Sequence, residues 1–241
     1  MIGAAAFRRR LWRHPEATAA GVVVLAWMWL LVPTAGGAGS AHGSEHHAMP
    51  VLPSTAGWLV MVAAMMLPGA LPAARELALG GPWSRRQRTT VLFLCVYVGV
   101  WAAFGAVAHA AAWLAERGLG IDAAFVLPGL LAAAALWQLS PWKWRAVRAC
   151  HRLRPLPPRG VRADAACAGA ALRYGRWCVA SCWPVMAAMA TASTNLWLMV
   201  MLTVLVTAEK LAAQASRLAG PGAAVVAGAA VVVLPGWMAP G

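Results

Sequence analysis

Apolar stretches of near-membrane length recur along the whole chain, and they constrain the fold more than any other feature. A bilayer core of about 30 Å requires about 20 consecutive apolar residues in a helix. Only 11% of the 241 residues are charged and 61% are hydrophobic, whereas soluble domains carry about 25% charged residues. The sequence therefore predicts an all-α protein, a polytopic transmembrane helical bundle that forms a single integral membrane domain over residues 1–241.

The apolar runs divide the chain into about seven predicted spans. These spans cover residues 17–33, 56–73, 90–114, 124–141, 176–193, 196–216 and 221–238. The fifth span contains Pro184, which a membrane helix tolerates when neighbouring groups satisfy the freed backbone carbonyl. We expect the first span to be retained as a helix, and the alternative is a signal peptide cleaved after Ala35 or Ala38.

The basic residues indicate an orientation in the membrane. With the N-terminus placed inside, every Lys and Arg except Arg117 falls on the cytoplasmic side, and the net charge is +13. This asymmetry follows the positive-inside rule, so we expect a cytoplasmic N-terminus, an external C-terminus and a cytoplasmic basic loop at 142–175. A short surface helix is expected within that loop at 163–173. The basic loops would contact anionic lipid of the inner leaflet, and without an aromatic-interleaved basic module they do not predict nucleic-acid binding.

Two cysteines and two methionines in the fifth span are candidate metal ligands. Cys178 and Cys182 are four residues apart and share one helical face, which Met186 continues and Met189 approaches. Soft sulfur ligands favour a soft metal, above all Cu(I). The alternative is that these side chains are apolar fillers of a helix interface. The remaining cysteines lie on the predicted reducing side or in an apolar span, so no disulfide framework is expected.

Glu209 is a carboxylate at the end of an apolar run, where an acidic residue marks an ion path or a buried pair. Cys178 and Glu209 lie at nearly equal sequence distances from the outer turn around Thr194. In an antiparallel pair of helices they would reach the same depth. We therefore predict an inner metal site of Cys178, Cys182 and Glu209, and the alternative is that Glu209 pairs locally at the inner interface.

A histidine-rich external segment, Gly36 to Pro53, is a candidate for metal capture outside the membrane. Its candidate ligands are His42, His46, His47 and Met49. Imidazole and thioether groups bind Cu(II), Zn(II) or Cu(I). The alternative is adventitious binding by a flexible loop that lacks supporting hydrogen bonds.

Two further groups of candidate ligands lie in the second span and just after the fourth span. Met61 and Met65 of the second span share a helical face, next to Met66, and they are candidates for exchangeable thioether sites or for ordinary core packing. Cys150 and His151 follow the fourth span at its inner mouth. They would accept metal from the paired cysteines, or Cys150 is an exposed thiol beside a cation.

Several short motifs occur in a fixed order along the chain. They are Met-Met-Leu-Pro in the second span, Gln138-x-x-Pro141-x-Lys143, Cys178-x-x-x-Cys182-Trp183-x-x-Met186 and Glu209-Lys210. From the second to the sixth span, the chain resembles a bacterial family of predicted metal-binding integral membrane proteins of unknown function. The block with the paired cysteines is its most specific part. That family often has two adjacent cysteines in this block, whereas Ser181 precedes Cys182 here. The family also tends to have a second cysteine near Cys150, where this chain has Trp144 to Ala146.

These features predict a plasma-membrane protein that binds a transition metal. Copper as Cu(I) is the expected ion and zinc is the alternative. The protein would transport the metal or hand it on to a metallochaperone or membrane enzyme complex. The rival interpretation is a non-transporting subunit or assembly factor of a copper or redox enzyme complex. We do not predict an enzyme, because Ser/His/Asp-type sets are absent, and a membrane thiol redox enzyme is a third alternative.

Overall fold

A computed structural model describes residues 15–35, 55–118, 123–153, 155–157, 160–191, 196–212 and 219–238. Helices are the regular elements throughout these ranges, which confirms the predicted all-α class. The described ranges contain eight α-helices, namely α1 (Ala17–Ala35), α2 (Thr55–Leu79), α3 (Arg86–Gly118), α4 (Ala123–Leu139), α5 (Pro141–Cys150), α6 (Val161–Thr191), α7 (Leu196–Leu211) and α8 (Ala219–Met238), with a 3₁₀ turn at Trp83–Arg85 before α3. The predicted external histidine ligands, at positions 42 to 49, lie outside the described residues.

The predicted basic loop 142–175 is the main difference between expectation and structure, because much of it is helical. Ser140 has an extended backbone and its hydroxyl accepts a hydrogen bond from the Trp142 amide at 3.2 Å. Pro141, at the first helical position, has no amide hydrogen to leave unsatisfied. This cap starts α5, and the predicted helix at 163–173 continues into the fifth predicted span as the single 31-residue helix α6.

Two of the described helical segments are long and apolar enough to cross a membrane. They are Thr55–Leu79, with a mean hydropathy of 1.6, and Trp83–Ala115, with a mean hydropathy of 2.3. Shorter apolar helices occur at Ala17–Leu31, Val126–Leu139 and Ala219–Val231. The seven spans and their orientation therefore stay predictions.

The chain forms two compact units. Unit 1 comprises Met1–Gly99 and Leu153–Arg173, and unit 2 comprises Val100–Arg152 and Tyr174–Gly241. The single integral membrane domain over residues 1–241 stays a prediction.

In unit 1, α1 packs along α2. The indole of Trp27 donates to the Ala64 carbonyl at 3.0 Å, and the hydroxyl of Tyr97 donates to the Met66 carbonyl at 3.3 Å. These bonds satisfy the polar ends of two aromatic side chains that otherwise contact apolar surface. Met61, Met65 and Met66 are fully buried.

In unit 2, α4 packs along α8, and α7 also contacts α8. The ring of Trp137 in α4 meets Trp183 of α6 edge to face, with ring centroids 5.9 Å apart. At the end of α4, the indole of Trp144 donates to the Gln138 carbonyl at 2.9 Å. This bond holds α5 against the last turn of α4.

Candidate metal centre

A kink in α6 shapes the segment that carries the paired cysteines. Cys182 has φ −135° and ψ 17°, far from helical values. Two residues later, Pro184 has no amide hydrogen for the carbonyl of Ala180, four residues before it. The indole of Trp137 supplies the missing bond and donates to the Ala180 carbonyl at 3.2 Å. The kink therefore follows from the proline, and α4 stabilises it.

The distorted turn also engages the backbone of Cys178. Its carbonyl accepts a hydrogen bond from the Ser181 hydroxyl at 2.8 Å and from the Cys182 thiol at 3.0 Å. All three side chains are buried. The two thiols are thus held in one turn of α6, as the four-residue spacing predicts.

A buried lysine contacts the first thiol of the pair. Lys210, in the last turn of α7, donates to the Cys178 sulfur at 2.7 Å. Lys210 is 5% exposed and Cys178 is 0% exposed. An ammonium group can only donate, so the sulfur accepts and its lone pair faces a cation.

Glu209 forms a buried ion pair beside this contact. Its carboxylate lies 2.7 Å from the Lys143 ammonium and accepts a hydrogen bond from the Gln138 amide at 2.8 Å. Lys143 also donates to the Gln138 side-chain carbonyl and lies 5.2 Å from the centre of the Trp144 ring. The carboxylate therefore has a cationic and a neutral partner, in the buried pairing that the sequence left open for this residue.

Cys150 supplies a third buried thiol in unit 2, so the alternative of an exposed thiol is wrong. Its thiol lies 4.0 Å from the Tyr174 carbonyl. Burial and the neighbouring Cys178 raise the pKa of Cys150 to about 12, and Lys210 acts in the opposite direction. The neighbouring His151 contacts the Lys210 carbonyl at 2.8 Å, which places Cys150 beside the same cluster.

His151, the predicted partner of Cys150, is engaged with backbone. Its Nδ1 lies 2.9 Å from the Val147 carbonyl and its Nε2 lies 2.8 Å from the Lys210 carbonyl. Both ring nitrogens therefore face oxygen atoms in this arrangement. The contact with Lys210 ties the end of α5 to the end of α7.

The predicted ligands divide between the two units. Met186 and Met189 are buried in unit 2, and the methionines of α2 are buried in unit 1. Over the described ranges, no group of three or more His, Cys, Asp and Glu side chains is arranged to hold a metal ion. Cys178 contacts Lys210 and Glu209 contacts Lys143, and among the described residues these side chains are not assembled as one ligand set.

Three residues of this cluster were not among the predicted ligands, namely Gln138, Lys143 and Lys210. The sequence did carry a signal for them, because each lies in or beside an apolar run and two belong to the motif Gln138-x-x-Pro141-x-Lys143. A buried acidic residue requires a partner of this kind.

Comparison with known families assigns the chain to a class. Residues 55–233 match the model of the PpoB2 family, which is described as a copper chaperone. The match covers most of the chain and includes the whole cluster of thiols and lysines, so the chain belongs to the PpoB2 copper chaperone family. This confirms the copper-related role that the soft sulfur ligands predict. No curated protein and no solved structure matches the chain.

Proposed function

We propose that the protein is a membrane-embedded copper chaperone that binds Cu(I) through Cys178 and Cys182 and hands it on. The observation that carries the proposal is the contact between the Cys178 sulfur and the buried ammonium of Lys210, at 2.7 Å. This sulfur already faces a positive charge in a site closed to water. In the loaded protein Cu(I) binds this sulfur.

The chemistry of the donors favours Cu(I) over zinc. Thiolates and thioethers are soft ligands, and Cu(I) is a soft ion that accepts a small number of them. Structural zinc requires a closed tetrahedral set of four protein ligands. Within the described residues no group of three or more His, Cys, Asp and Glu side chains could hold a metal ion. The nearby methionines are not zinc ligands. Met186 lies one helical turn beyond Cys182 and is the candidate third ligand.

Charge balance also supports a Cu(I) site. The Lys143–Glu209 pair is neutral on its own, and Lys210 places a second buried ammonium next to the thiols. Cu(I) bound by two thiolates carries one net negative charge. Lys210 offsets that charge, so the loaded site is neutral in apolar surroundings where an unpaired charge is costly.

Delivery of the ion uses the third thiol. Cys150 exchanges with Cys178 and Cys182 as a ligand and carries Cu(I) toward the cytoplasmic side of the predicted topology. The external histidines at positions 42, 46 and 47, with Met49, collect metal, and the methionines Met61, Met65, Met66 and Met189 provide exchangeable sites. We also propose that the protein crosses the plasma membrane seven times, with its N-terminus inside. Transport across the membrane is the alternative to delivery within it.

The proposal is tested by Cu(I) binding to the purified protein under reducing conditions. A chromophoric Cu(I) chelator reports affinity by competition, and elemental analysis reports stoichiometry. We expect Cys178→Ser/Cys182→Ser to abolish tight binding and excess Zn(II) not to displace Cu(I). The control is Cys167→Ser, which removes a buried thiol of unit 1 that contacts the Thr89 carbonyl at 3.5 Å. Unchanged Cu(I) affinity in the double variant, or preferential zinc loading, would overturn the proposal.

A further inference from the structure

Unit 1 contains an apolar groove that the copper chemistry does not use. The groove has a volume of about 450 Å³, within the range of about 300 to 1,000 Å³ typical of small-molecule sites. Its walls include Thr18 and Val22 of α1, Leu67 of α2, and Thr90, Leu94 and Val98 of α3. We infer that it holds one acyl chain of an anionic phospholipid, whose phosphate binds Arg86. This inference rests on the membrane location within the proposed function.

The shape of the groove suits an extended hydrocarbon chain. Thr90, Leu94 and Val98 recur every four residues and line one face of α3 over about 12 Å. The hydroxyl of Thr90 donates to the Arg86 carbonyl at 3.0 Å, and that of Thr18 lies 3.5 Å from the Pro15 carbonyl. Because both hydroxyls already have backbone partners, an apolar ligand in the groove would not leave either of them without a hydrogen bond.

Arg86 supplies the charge at one end of the groove. It precedes Thr90 by one helical turn, so the two residues lie on the same face of α3. Its guanidinium packs over the Trp83 ring, 4.3 Å from the ring centre. The Nε atom is buried, and the described part of the chain provides no hydrogen-bond acceptor for it. A buried donor without an acceptor is costly, and a phosphate oxygen would satisfy it.

Neighbouring residues favour a lipid phosphate over another acceptor. Trp83 is 49% exposed, as expected for a tryptophan at the membrane surface. The nearby basic residues Arg75 and Arg88 already have carboxylate partners, Glu16 at 3.2 Å and Asp164 at 2.6 Å. Among the described residues, Arg86 is therefore the guanidinium at this end of unit 1 with a buried donor that has no acceptor.

Lipid retention tests the site. The purified protein is exchanged into an equal mixture of phosphatidylglycerol and phosphatidylcholine, and lipids that remain bound are identified by native mass spectrometry. We expect one phosphatidylglycerol per chain, retained with a preference of about fivefold or more, as for a charge-assisted hydrogen bond. Arg86→Gln should abolish the preference. The matched control Arg88→Gln, which removes an exposed arginine two residues away, should preserve it.

Cys95 provides a second readout that survives if the lipid dissociates in the mass spectrometer. It lines the groove and is the exposed thiol among the described cysteines. Alkylation of Cys95 by a maleimide should be slower in phosphatidylglycerol vesicles than in phosphatidylcholine vesicles, and Arg86→Gln should remove the difference. Equal retention and equal labelling with the two lipids would overturn the inference, as would a second copy of the chain protecting Cys95.

Copper content measured in the same samples separates this inference from the proposed function. Arg86→Gln should leave Cu(I) stoichiometry unchanged, because Arg86 is in unit 1 and outside the thiol cluster. Lipid preference without copper binding would refute the copper site alone. Copper binding without lipid preference would refute the lipid site alone.

Discussion

Two ion-pair clusters of this protein have almost the same geometry and very different surroundings. In unit 2, Lys143 and Glu209 lie 2.7 Å apart with side chains 2% and 3% exposed. In unit 1, Arg88 and Asp164 lie 2.6 Å apart with side chains 68% and 22% exposed. The separation of the charged atoms therefore does not distinguish the two pairs. Their exposure to water does, and it determines how much each pair contributes.

The buried pair has consequences beyond its own attraction. Removing two charges from water costs several kcal/mol per ion, and only good geometry with additional hydrogen bonds offsets that cost. Gln138 supplies such bonds to both members of the pair. Because Lys210 follows Glu209 directly in α7, the pair also fixes the backbone that carries Lys210 to Cys178. The exposed pair belongs to unit 1, whereas the thiols of the cluster belong to unit 2.

The largest effect on stability is expected from breaking the buried pair. Glu209→Gln preserves the size of the side chain and leaves the Lys143 ammonium buried without its counter-charge. We expect the free energy of unfolding to fall by about 3 to 5 kcal/mol, measured by thermal or denaturant unfolding in detergent. The double variant Lys143→Met/Glu209→Leu should recover much of the loss. A single variant as stable as the wild-type protein would show that this pair is not buried.

The exposed pair should respond weakly to the same kind of change. Arg88→Gln removes a partner that is screened by water, and Asp164 keeps its contact with Arg85. We expect a loss of less than about 1 kcal/mol in the same unfolding assay. A loss as large as that of Glu209→Gln would show that burial does not determine how much the two ion pairs contribute to the free energy of unfolding.

The helices could be predicted from the sequence more fully than the polar contacts between them. Apolar runs predicted the all-α class, and the four-residue spacing placed Cys178 and Cys182 in one turn. Helix α5 was missed because its charge suggested a loop, although Ser140 and Pro141 are a helix-start signal. The partners of Glu209 could not be predicted from local pattern, since Gln138 is 71 residues away in sequence. Pro184 is visible in the sequence, but the hydrogen bond from Trp137 to the freed Ala180 carbonyl depends on tertiary packing.

The proposed copper site requires that the sulfur atoms of Cys178 and Cys182 bind Cu(I). X-ray absorption spectroscopy at the copper edge of the Cu(I)-loaded protein tests it most directly, with residues 41–49 deleted to remove the external histidines. We expect a low-coordinate Cu(I) spectrum with sulfur as the nearest neighbour, and loss of that sulfur signal in Cys178→Ser/Cys182→Ser. A first shell of nitrogen or oxygen, or a sulfur shell unchanged in the double variant, would contradict it.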